Sequence, residues 1–382
     1  MKISINRDAL LTPLSHVQGL VPGKPTVPIM GNLMLKAEGG KIRVYACDLD
    51  LDHVELGDCQ YAETNGGDAA TTVNAHIFYN IIRKMPEGAE IEIDGPNEKN
   101  HVSIRAGRSH FELPALSAED FPVVKEDAEP HQFDIPLSDL KQAIDSTKFA
   151  MSNEETRYYL NGIYIHAKKD GASPVLRFVA TDGHRLARTE VSLPEGASNM
   201  PAIIVSRKAI TELGKLLDEF NGSDAHPNVT IAISDKRIRF SIGTIATSSK
   251  LIDASYPDYE RVIPKQNDKT MDVTAEFFRK AVDRVSAVNK SGDVRPVKFT
   301  FGENALTLSV SSSDGNASDE IDATTTNGLD FEIGFNPNYL LDLVPHIKTG
   351  TASFDFSDAN SPVIVRDKGS DSTIFVVMPM RV

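Results

Sequence analysis

Apolar and polar residues follow one pattern at three places in the chain, first at strand spacing and then at helical spacing. Phe133 and Ile135 alternate with polar neighbours, whereas Leu140 and Ile144 recur four residues apart. The same four positions return 130 residues earlier as Ile3, Ile5, Leu10 and Leu14, and 138 residues later as Met271, Val273, Phe278 and Val282. Three copies of a strand that runs into a helix predict three similar domains.

A second strand-to-helix junction also recurs, with a helix-capping residue type in each copy. Asn74, Ser206 and Asn336 each follow an apolar residue and precede an apolar helical pattern, at offsets of 132 and 130 residues. Asn and Ser side chains accept hydrogen bonds from the first free N–H groups of a helix. The chain therefore predicts six half-units, each a strand followed by a helix.

The two kinds of junction define the expected architecture. Most strands alternate with period two, as in Arg237 to Ile242, which is typical of antiparallel sheets with one face under helices. A third repeated feature, an aspartate after small residues, supports the same period at Asp48, Asp182 and Asp314. We predict an α+β fold of three similar domains, each with two helices packed on antiparallel sheets, over residues 1–126, 127–264 and 265–382.

The charge distribution depends on where the helices lie. The predicted helices cover residues 6–18, 74–85, 136–149, 206–218, 274–290 and 336–348, and Pro13 should kink or shorten the first. They contain 13 Lys and Arg against 8 Asp and Glu, a net +5, so that the rest of a chain of net charge −14 carries −19. Two readings stay open: lysines on the solvated faces of ordinary amphipathic helices, or a positive surface suited to a phosphate backbone.

Composition places the chain among globular proteins of a reducing compartment. The 382 residues contain only two cysteines, Cys47 and Cys59, in no paired framework. The first residues lack the apolar region of a signal peptide, and no apolar run approaches the ~20 residues that cross a bilayer. We expect a cytoplasmic protein.

Motifs of catalysis and metal binding are largely missing from the sequence. The ten histidines show no metal-ligand spacing, and no G-x-S-x-G sequence occurs, so we expect neither a metal nor a cofactor. Asp182 and His184, in the stretch Ala180 to Ala187, could share a strand face as an acid–base pair. The C-terminal residues 375–382 are apolar and rich in methionine, which suits either a last core strand or an adaptable binding surface.

Several short motifs, in this order and spacing, resemble those of the bacterial DNA polymerase sliding clamps, the beta subunits of the replicative DNA polymerase III holoenzyme. They are Pro28 to Asn32, Glu119 to Pro122, Tyr158-Tyr-Leu-Asn-Gly162, Ala180-Thr-Asp-Gly-His-Arg-Leu-Ala187, Tyr256-Pro-Asp-Tyr259 with Arg261-Val262, Gly334-Phe-Asn336 and Val377-Met-Pro-Met-Arg381. The resemblance covers the whole chain.

The resemblance implies a fold and a function. Three domains of the DNA clamp fold would form half of a closed ring, and two chains would meet head to tail around duplex DNA. Such a ring is a non-enzymatic processivity factor that binds DNA without sequence preference. It would tether the polymerase catalytic subunit, the clamp loader and repair proteins through short linear peptides, and it would use no cofactor.

The resemblance also implies three sets of site residues, carried over by position. DNA-facing residues would be Lys24, Arg83, Asn153, Tyr158, Tyr159, Arg207 and Lys208, with Lys24 where relatives often have arginine and His76 at an often basic position. The partner-peptide cleft would be formed by Leu160, Thr181, Gly183, His184, Arg185, Leu186, Pro257, Arg261, Val262, Asn336, Tyr339, Val363, Val376, Met378, Pro379, Met380 and Arg381. The dimer interface would bring Phe111 and Leu113 of one chain to Ala287 and Val288 of the other.

Two alternatives remain beside a processivity clamp. One is an α/β repeat enzyme that uses Asp182 and His184 as an acid–base pair. The other is a protein that grips DNA from one side without enclosing it. The oligomeric state separates the first from a clamp, and the comparison of circular with linear DNA separates the second.

Overall fold

A computed structural model describes residues 1–17, 19–38, 41–48, 51–58, 61–63, 69–122, 130–169, 173–222, 225–289, 294–313, 315–326 and 329–382, with the backbone alone at 52–58 and 61–63. The predicted features outside this part of the chain are the helix end at Gln18, Cys59, the first domain limit at residues 126 and 127, the helix end at Lys290 and the third repeated aspartate, Asp314.

The described residues form six α-helices and 25 strands. The helices are α1 (Arg7–Val17), α2 (Ala75–Arg83), α3 (Leu137–Lys148), α4 (Arg207–Phe220), α5 (Ala275–Ser286) and α6 (Pro337–Leu343). The strands are β1 (Lys2–Asn6), β2 (Asn32–Glu38), β3 (Lys41–Cys47), β4 (Leu51–Asp58), β5 (Tyr61–Glu63), β6 (Ala69–Asn74), β7 (Glu90–Asp94), β8 (His101–Ala106), β9 (Ser109–Pro114), β10 (His131–Pro136), β11 (Gly162–Lys168), β12 (Val175–Thr181), β13 (Arg185–Ser192), β14 (Ile203–Ser206), β15 (Asn228–Ile233), β16 (Arg237–Ile242), β17 (Ile245–Lys250), β18 (Lys269–Thr274), β19 (Val297–Phe301), β20 (Ala305–Ser312), β21 (Gly315–Thr325), β22 (Glu332–Phe335), β23 (Thr351–Phe356), β24 (Val363–Asp367) and β25 (Thr373–Val377).

Each helix directly follows a strand, which confirms the six predicted half-units. The predicted caps are present: Asn74 Oδ1 accepts from Ile77 N at 3.0 Å, and Asn336 Oδ1 accepts from Asn338 N at 3.0 Å. Ser206 Oγ likewise accepts from a backbone N–H of the first turn of α4 at 3.3 Å. The equivalent cap in three repeats shows why the sequence repeats there, since each helix begins at a residue that can satisfy its free N–H groups.

The repeated aspartate has a structural role in both described copies. Asp48 Oδ1 accepts from Leu51 N at 2.9 Å, and Asp182 Oδ1 accepts from Arg185 N at 3.0 Å. In each case the carboxylate closes the turn that precedes a strand, which short polar side chains do well.

One compact unit contains residues 1–137 and 211–251. Its two antiparallel sheets have the strand orders β5-β1-β7-β8-β9 and β10-β15-β16-β17-β4-β3-β2-β6. Buried aliphatic side chains such as Ile5, Leu10 and Leu14 place α1 on this core. In the first sheet β9 is an edge strand, so one row of its backbone N–H and C=O groups has no partner within the described residues.

The second compact unit contains residues 138–210 and 252–382. It is built on a 12-stranded sheet of order β14-β11-β12-β13-β25-β24-β23-β18-β21-β20-β19-β22. The pairing of β13 with β25 joins strands of the central and C-terminal predicted domains in one sheet. Each unit therefore holds part of the predicted central domain, and the predicted domain limits stay a prediction.

Two expectations about the helices are corrected. The first helix runs without interruption through Pro13, because the buried ring packs against the core beside Leu10 and Leu14. Helices α2, α3, α5 and α6 end before their predicted C-termini, whereas α4 extends beyond its predicted end, through Glu219 to Phe220. With the observed bounds they hold 10 Lys and Arg against 9 Asp and Glu, a net +1 rather than +5. The predicted cationic helices are thus close to neutral.

Candidate functional site

The C-terminal tail lies across the second unit as a short extended segment. Strand β25 ends at Val377, which is 1% exposed, so the apolar C-terminus is partly a core strand. Beyond it, Met378 N donates to His184 O at 2.9 Å and Met380 N donates to Gly334 O at 2.8 Å. These two hydrogen bonds hold the tail in place while Met378 remains 39% exposed. The tail is therefore both the end of the sheet and an accessible apolar surface.

The turn between β12 and β13 presents His184 beside this tail. Gly183 has φ +89°, a conformation that favours glycine, and its N–H donates to Thr181 Oγ1 at 3.1 Å. Asp182 Oδ1 accepts from the backbone N–H groups of His184 and Arg185 at 2.9 and 3.0 Å. The exposed imidazole of His184 lies over the ring of Tyr339, with centroids 6.5 Å apart.

The hydrogen bonds of Asp182 leave the acid–base hypothesis without support. Its carboxylate accepts from two backbone N–H groups and from Arg185 Nε at 3.1 Å. A carboxylate whose oxygens accept from the backbone of its own turn serves as a turn cap. Its contacts to His184 are made through the backbone.

Arg185 connects several parts of the second unit. Its guanidinium donates to Asp182 at 3.1 Å, to Asp342 Oδ2 at 2.5 Å and to Phe149 O at 2.8 Å. It also lies over the rings of Phe149 and Tyr339, at 5.2 and 4.6 Å from their centroids. The side chain is 12% exposed. Arg185 therefore acts as a brace under the predicted cleft, because most of its donors are used inside the protein.

The 17 predicted cleft residues all lie in the second unit. Five form a buried floor: Leu160, Thr181, Leu186, Val363 and Val376. Seven are exposed at the rim: Gly183, His184, Pro257, Arg261, Val262, Met378 and Arg381. Five are half-buried: Arg185, Asn336, Tyr339, Pro379 and Met380. An apolar floor with an adaptable methionine wall and a polar rim is the usual make-up of a peptide site.

An open groove of about 810 Å³ adjoins this set of residues. It shares Arg261, Val262 and Met378 with the predicted cleft. Val262 is 50% exposed, and the side chain of Arg261 is 84% exposed and pairs with Asp258 at 2.8 Å. The groove therefore gives a ligand access to the tail from the side of the 258–267 segment.

The structure adds Arg157, which the sequence did not indicate. A Cβ placed on Gly183 would lie 3.0 Å from an Arg157 guanidinium nitrogen, so this side chain lies against the His184 turn. Arg157 also pairs with Glu154 at 3.1 Å. Its neighbours Tyr158 and Tyr159 belong to a recognised motif, but nothing local in the sequence indicates that Arg157 reaches a turn 26 residues away.

The predicted DNA-facing residues lie at helix ends and in loops. Lys24, Arg83, Asn153, Tyr158 and Lys208 are exposed, whereas Tyr159 and Arg207 are half-buried. The Arg207 guanidinium donates to Met151 O at 2.7 Å and Ser152 O at 3.0 Å, and burial lowers the pKa of Arg207. These contacts give Arg207 a role in fixing the chain before residues 153–160. His76 is half-buried, and its Nε2 atom has no hydrogen-bond partner.

The predicted dimer residues lie on two different surfaces. Phe111, 37% exposed, and Leu113, 7% exposed, are on the edge strand β9 of the first unit. Ala287 is exposed and Val288 is half-buried just beyond α5 in the second unit. Val288 O accepts from Ser312 Oγ at 3.1 Å, which places this apolar pair beside the start of β21.

The described residues contain neither a metal-binding cluster nor a membrane-spanning helix. Within the described residues, no group of three or more His, Cys, Asp or Glu side chains is arranged to hold a metal ion. No helix among the same residues is long and apolar enough to cross a membrane.

Comparisons with known proteins match the chain along its length. Models of the DNA polymerase III beta subunit match its N-terminal domain at residues 1–125, its central domain at 134–258 and its C-terminal domain at 260–381. The beta sliding clamp of Caulobacter vibrioides is 41% identical and that of Escherichia coli K12 is 36% identical, each over the full length of both chains.

Solved structures agree with the sequence comparisons. The sliding clamp of Caulobacter crescentus superposes with a TM-score of 0.92 at 40% identity, and both chains are fully covered. The sliding clamp of Bartonella birtlesii bound to griselimycin gives the same TM-score, identity and coverage. The three matched domains and the full-length relatives show that this chain belongs to the family of DNA polymerase III beta subunits, the bacterial beta sliding clamps, which are non-enzymatic processivity factors of DNA replication.

Proposed function

We propose that this clamp works as a head-to-tail homodimeric ring around duplex DNA and binds its partners through short peptides in the cleft along residues 378–381. The partners would be the polymerase catalytic subunit, the clamp loader and repair proteins, which would compete for one cleft. The observation that carries the proposal is the placement of the tail, whose Met378 and Met380 N–H groups donate to His184 O and Gly334 O and so tie it to two other segments of the predicted cleft.

The cleft offers a peptide an ordered apolar surface. Leu186 and Val376 of the floor are 2% and 3% exposed and fix the surface from below, so an apolar anchor would meet the half-buried Tyr339 and Met380 and the exposed Met378 above them. The clamp of Caulobacter crescentus holds polyethylene glycol at a beta-motif tethering region, and that of Bartonella birtlesii binds griselimycin. We assign both kinds of binding to the cleft in this chain.

Two open strand edges support closure of the ring. Strand β9 has a free edge in the first unit. Strand β21 pairs with β20 from Gly315 to Asp322 and with β18 only from Ala323 to Thr325, so residues 316–322 have a second free edge within the described residues. Pairing of these edges between two chains would extend both sheets and cover Phe111 with Ala287 and Val288. Because the two surfaces differ, such contacts would be head-to-tail, the kind that forms a ring when the rotation from one chain to the next closes.

The charges on the two edges are complementary. Arg105 on β8 and Arg108 in the turn before β9 are exposed, and the one acidic residue of β9, Glu112, pairs with His110 of the same strand. On β21, Glu320 and Asp322 are exposed, and Asp319 pairs with Arg284 of α5. Opposite charges on the meeting edges would favour this pairing over β9 with β9 or β21 with β21.

DNA contact in the ring would come from localised charge. Arg83 is the last residue of α2, Arg207 and Lys208 begin α4, and Lys24 lies in a loop, so positive groups are placed at helix ends. Contacts of this kind reach phosphates and do not read bases. The enclosing ring, rather than a strongly positive wall, would keep the clamp on DNA.

Deletion of residues 378–382 tests the cleft. We expect loss of binding of labelled peptides from the replicative polymerase, while the mass by light scattering stays near twice 41.7 kDa. Val382→Ala, at a side chain 64% exposed, is the control and should bind normally. Peptide binding that survives the deletion would refute the cleft, and dissociation of the dimer would show that the tail supports the interface.

A substitution on β9 tests the ring. Phe111→Asp should lower the mass towards that of one chain, because it places a charge in the middle of the proposed interface. Phe277→Asp, at an exposed side chain near the start of α5, is the matched control and should leave the dimer intact. A monomeric parent chain, or a dimer unaffected by the Phe111 change, would refute the proposed interface.

A further inference from the structure

The segment from Tyr256 to Ile263 forms one wall of the cleft and is anchored from its opposite side. Arg261 and Val262 are exposed and line the groove, whereas Tyr259 is 6% exposed. No helix or strand longer than the single 3₁₀ turn at 259–261 stabilises this segment. Its position therefore depends on the side chains that hold the two tyrosines and Glu260.

The anchors come from β11 and β12. Tyr259 Oη lies 2.9 Å from His166 Nε2 and accepts from the Arg177 guanidinium at 3.1 Å. The same guanidinium nitrogen donates to Glu260 Oε1 at 2.6 Å, and Lys168 Nζ donates to that oxygen at 3.4 Å. Two neighbouring residues of the wall are thus tied to the sheet by two strands.

Aromatic stacking completes the support. The ring of Tyr164 lies parallel to that of Tyr256, with centroids 4.6 Å apart and an angle of 2° between the planes. Tyr164 also packs on His166 at 4.9 Å, and His166 packs on Tyr259 at 5.8 Å. The four rings form one continuous cluster under the wall, so a change in His166 is transmitted to both anchoring tyrosines.

The hydrogen-bond donors and acceptors around His166 indicate its protonation state and tautomer. Arg177 can only donate, so Tyr259 Oη accepts from it and has its own proton left to give. His166 Nε2 is an acceptor within reach of this proton, so we assign the imidazole as neutral with its proton on Nδ1, next to Ala167 O at 3.4 Å. Burial lowers the pKa of His166, and the charges of Arg177 and Lys168 lower it further, against opposing effects of Ala167 O and Glu260.

We propose that His166 is a positioning residue for partner binding: as the neutral acceptor for Tyr259 it holds the 256–263 wall, and its protonation releases that wall and weakens peptide binding. This rests on the proposed peptide cleft. Protonation removes the acceptor for the Tyr259 hydroxyl and adds a third positive charge beside Arg177 and Lys168. Among the described residues, Glu260 is the carboxylate whose charge acts on His166, and it is already shared by those two cations, while Glu190 of β13 also pairs with Arg177.

The test compares peptide affinity at two pH values in four variants of the full-length protein. The probes are the tightest labelled peptide from the replicative polymerase and griselimycin. His166→Gln places an amide oxygen near the Nε2 position and cannot titrate. His166→Phe keeps a ring packed on Tyr164 but removes the Nε2 acceptor of the Tyr259 hydrogen bond. Tyr259→Phe removes the hydroxyl that donates it. His131→Gln, on β10 of the other unit, is the control.

We expect the parent protein and His131→Gln to bind more weakly at about pH 5 than at about pH 8, by at most about tenfold, the size of one lost hydrogen bond, with the change falling below about pH 6.5 because the pKa of His166 is lowered. His166→Gln should bind as the parent does at pH 8 and show a flatter pH profile. His166→Phe and Tyr259→Phe should bind more weakly at both pH values. His184, also in the predicted cleft, is unchanged in every variant, so its effect on binding is common to all of them.

Two outcomes overturn the inference in different ways. Equal pH profiles for the parent and His166→Gln, with peptide binding intact, would refute the role of His166 and leave the cleft standing. Absence of peptide and griselimycin binding in the parent at pH 8 would refute the proposed cleft and the inference with it. A thermal unfolding curve of each variant separates a folding defect from a binding defect. If His166→Phe and Tyr259→Phe fail to fold, the pH profile of His166→Gln, which keeps the hydrogen bond to Tyr259, still tests the inference.

Discussion

Replacement of Arg185 tests whether this residue supports the cleft or serves mainly to contact a ligand. Arg185→Ala removes donors from Asp182, Asp342 and Phe149 O, and it removes a cation from two aromatic faces. Asp182 is 18% exposed and keeps two backbone N–H donors, which limits the cost of leaving its charge unpaired to about 2 kcal/mol. The Asp342 pair adds little because that carboxylate is 46% exposed.

The other contacts of Arg185 increase the expected loss of unfolding free energy in Arg185→Ala. An unsatisfied Phe149 carbonyl costs about 1 kcal/mol, and two cation–π contacts cost about 0.5 kcal/mol each at least. Arg185→Ala should therefore lower the free energy of unfolding by about 4 kcal/mol, measured by urea unfolding with the slope of the transition checked for change. Arg185→Lys should recover about half, since an ammonium keeps the charge but cannot donate in three directions.

The result that would refute this reasoning is a loss below about 1 kcal/mol for Arg185→Ala, which is the ordinary effect of a surface substitution. Weak peptide binding by such a stable variant would then make Arg185 a direct ligand contact. A large loss of stability in Arg185→Ala, together with normal peptide binding by Arg185→Lys, would support a structural role for Arg185 beneath the cleft.

Two further predictions follow from backbone geometry and burial. Gly162→Ala should destabilise the protein by more than about 3 kcal/mol in urea unfolding, because the new Cβ would lie 2.2 Å from Val205 O and block the pairing of β11 with β14. Gly214→Ala, inside α4 with no atom within 4 Å of its Cβ, is the control and should stabilise by up to about 1 kcal/mol; equal effects would refute the steric argument. Burial between Phe149 and Phe375 lowers the pKa of His346 below its value in the unfolded chain, so the unfolded state binds more protons, and the stability contributed by the neutral ring is complete above about pH 6.5 and is lost as the pH falls. His346→Phe should reduce the slope of unfolding free energy against pH in acid, and an unchanged slope would show that this ring does not titrate on unfolding.

The sequence predicts the repeated parts of this fold well, because repetition makes a local pattern visible three times. Asn74, Ser206 and Asn336 cap their helices as their positions indicated, and the strands before them are present. Capping and strand alternation act within a few residues, so both can be read from the chain without knowledge of distant contacts.

Other features depend on partners that are far apart in the sequence. Arg185 pairs with Asp342 across 157 positions, and His166 reaches Tyr259 across 93. No periodicity links such pairs, so their roles appear only once the sheet brings them together. The net charge of the helices was predicted wrongly for a different reason, which is the position of the helix ends. The observed helices exclude Lys84 and Lys348 and include Glu219, and these shifts of a few residues cancel most of the predicted excess of positive charge.

The position of β25 explains why the last residues of the chain can carry a binding site. Chain ends usually fray, but β25 pairs with β13 on one side and β24 on the other, and the residues after it are held at His184 O and Gly334 O. A Cβ on Gly334 would lie 3.1 Å from Met380 O, so the glycine is what lets the tail approach the start of α6 so closely. Since the tail is ordered before a partner arrives, the partner need not supply the free energy to order it. Affinity at this cleft should then be set by the fit of the apolar anchors and by the wall at 256–263, the side of the cleft without sheet pairing of its own.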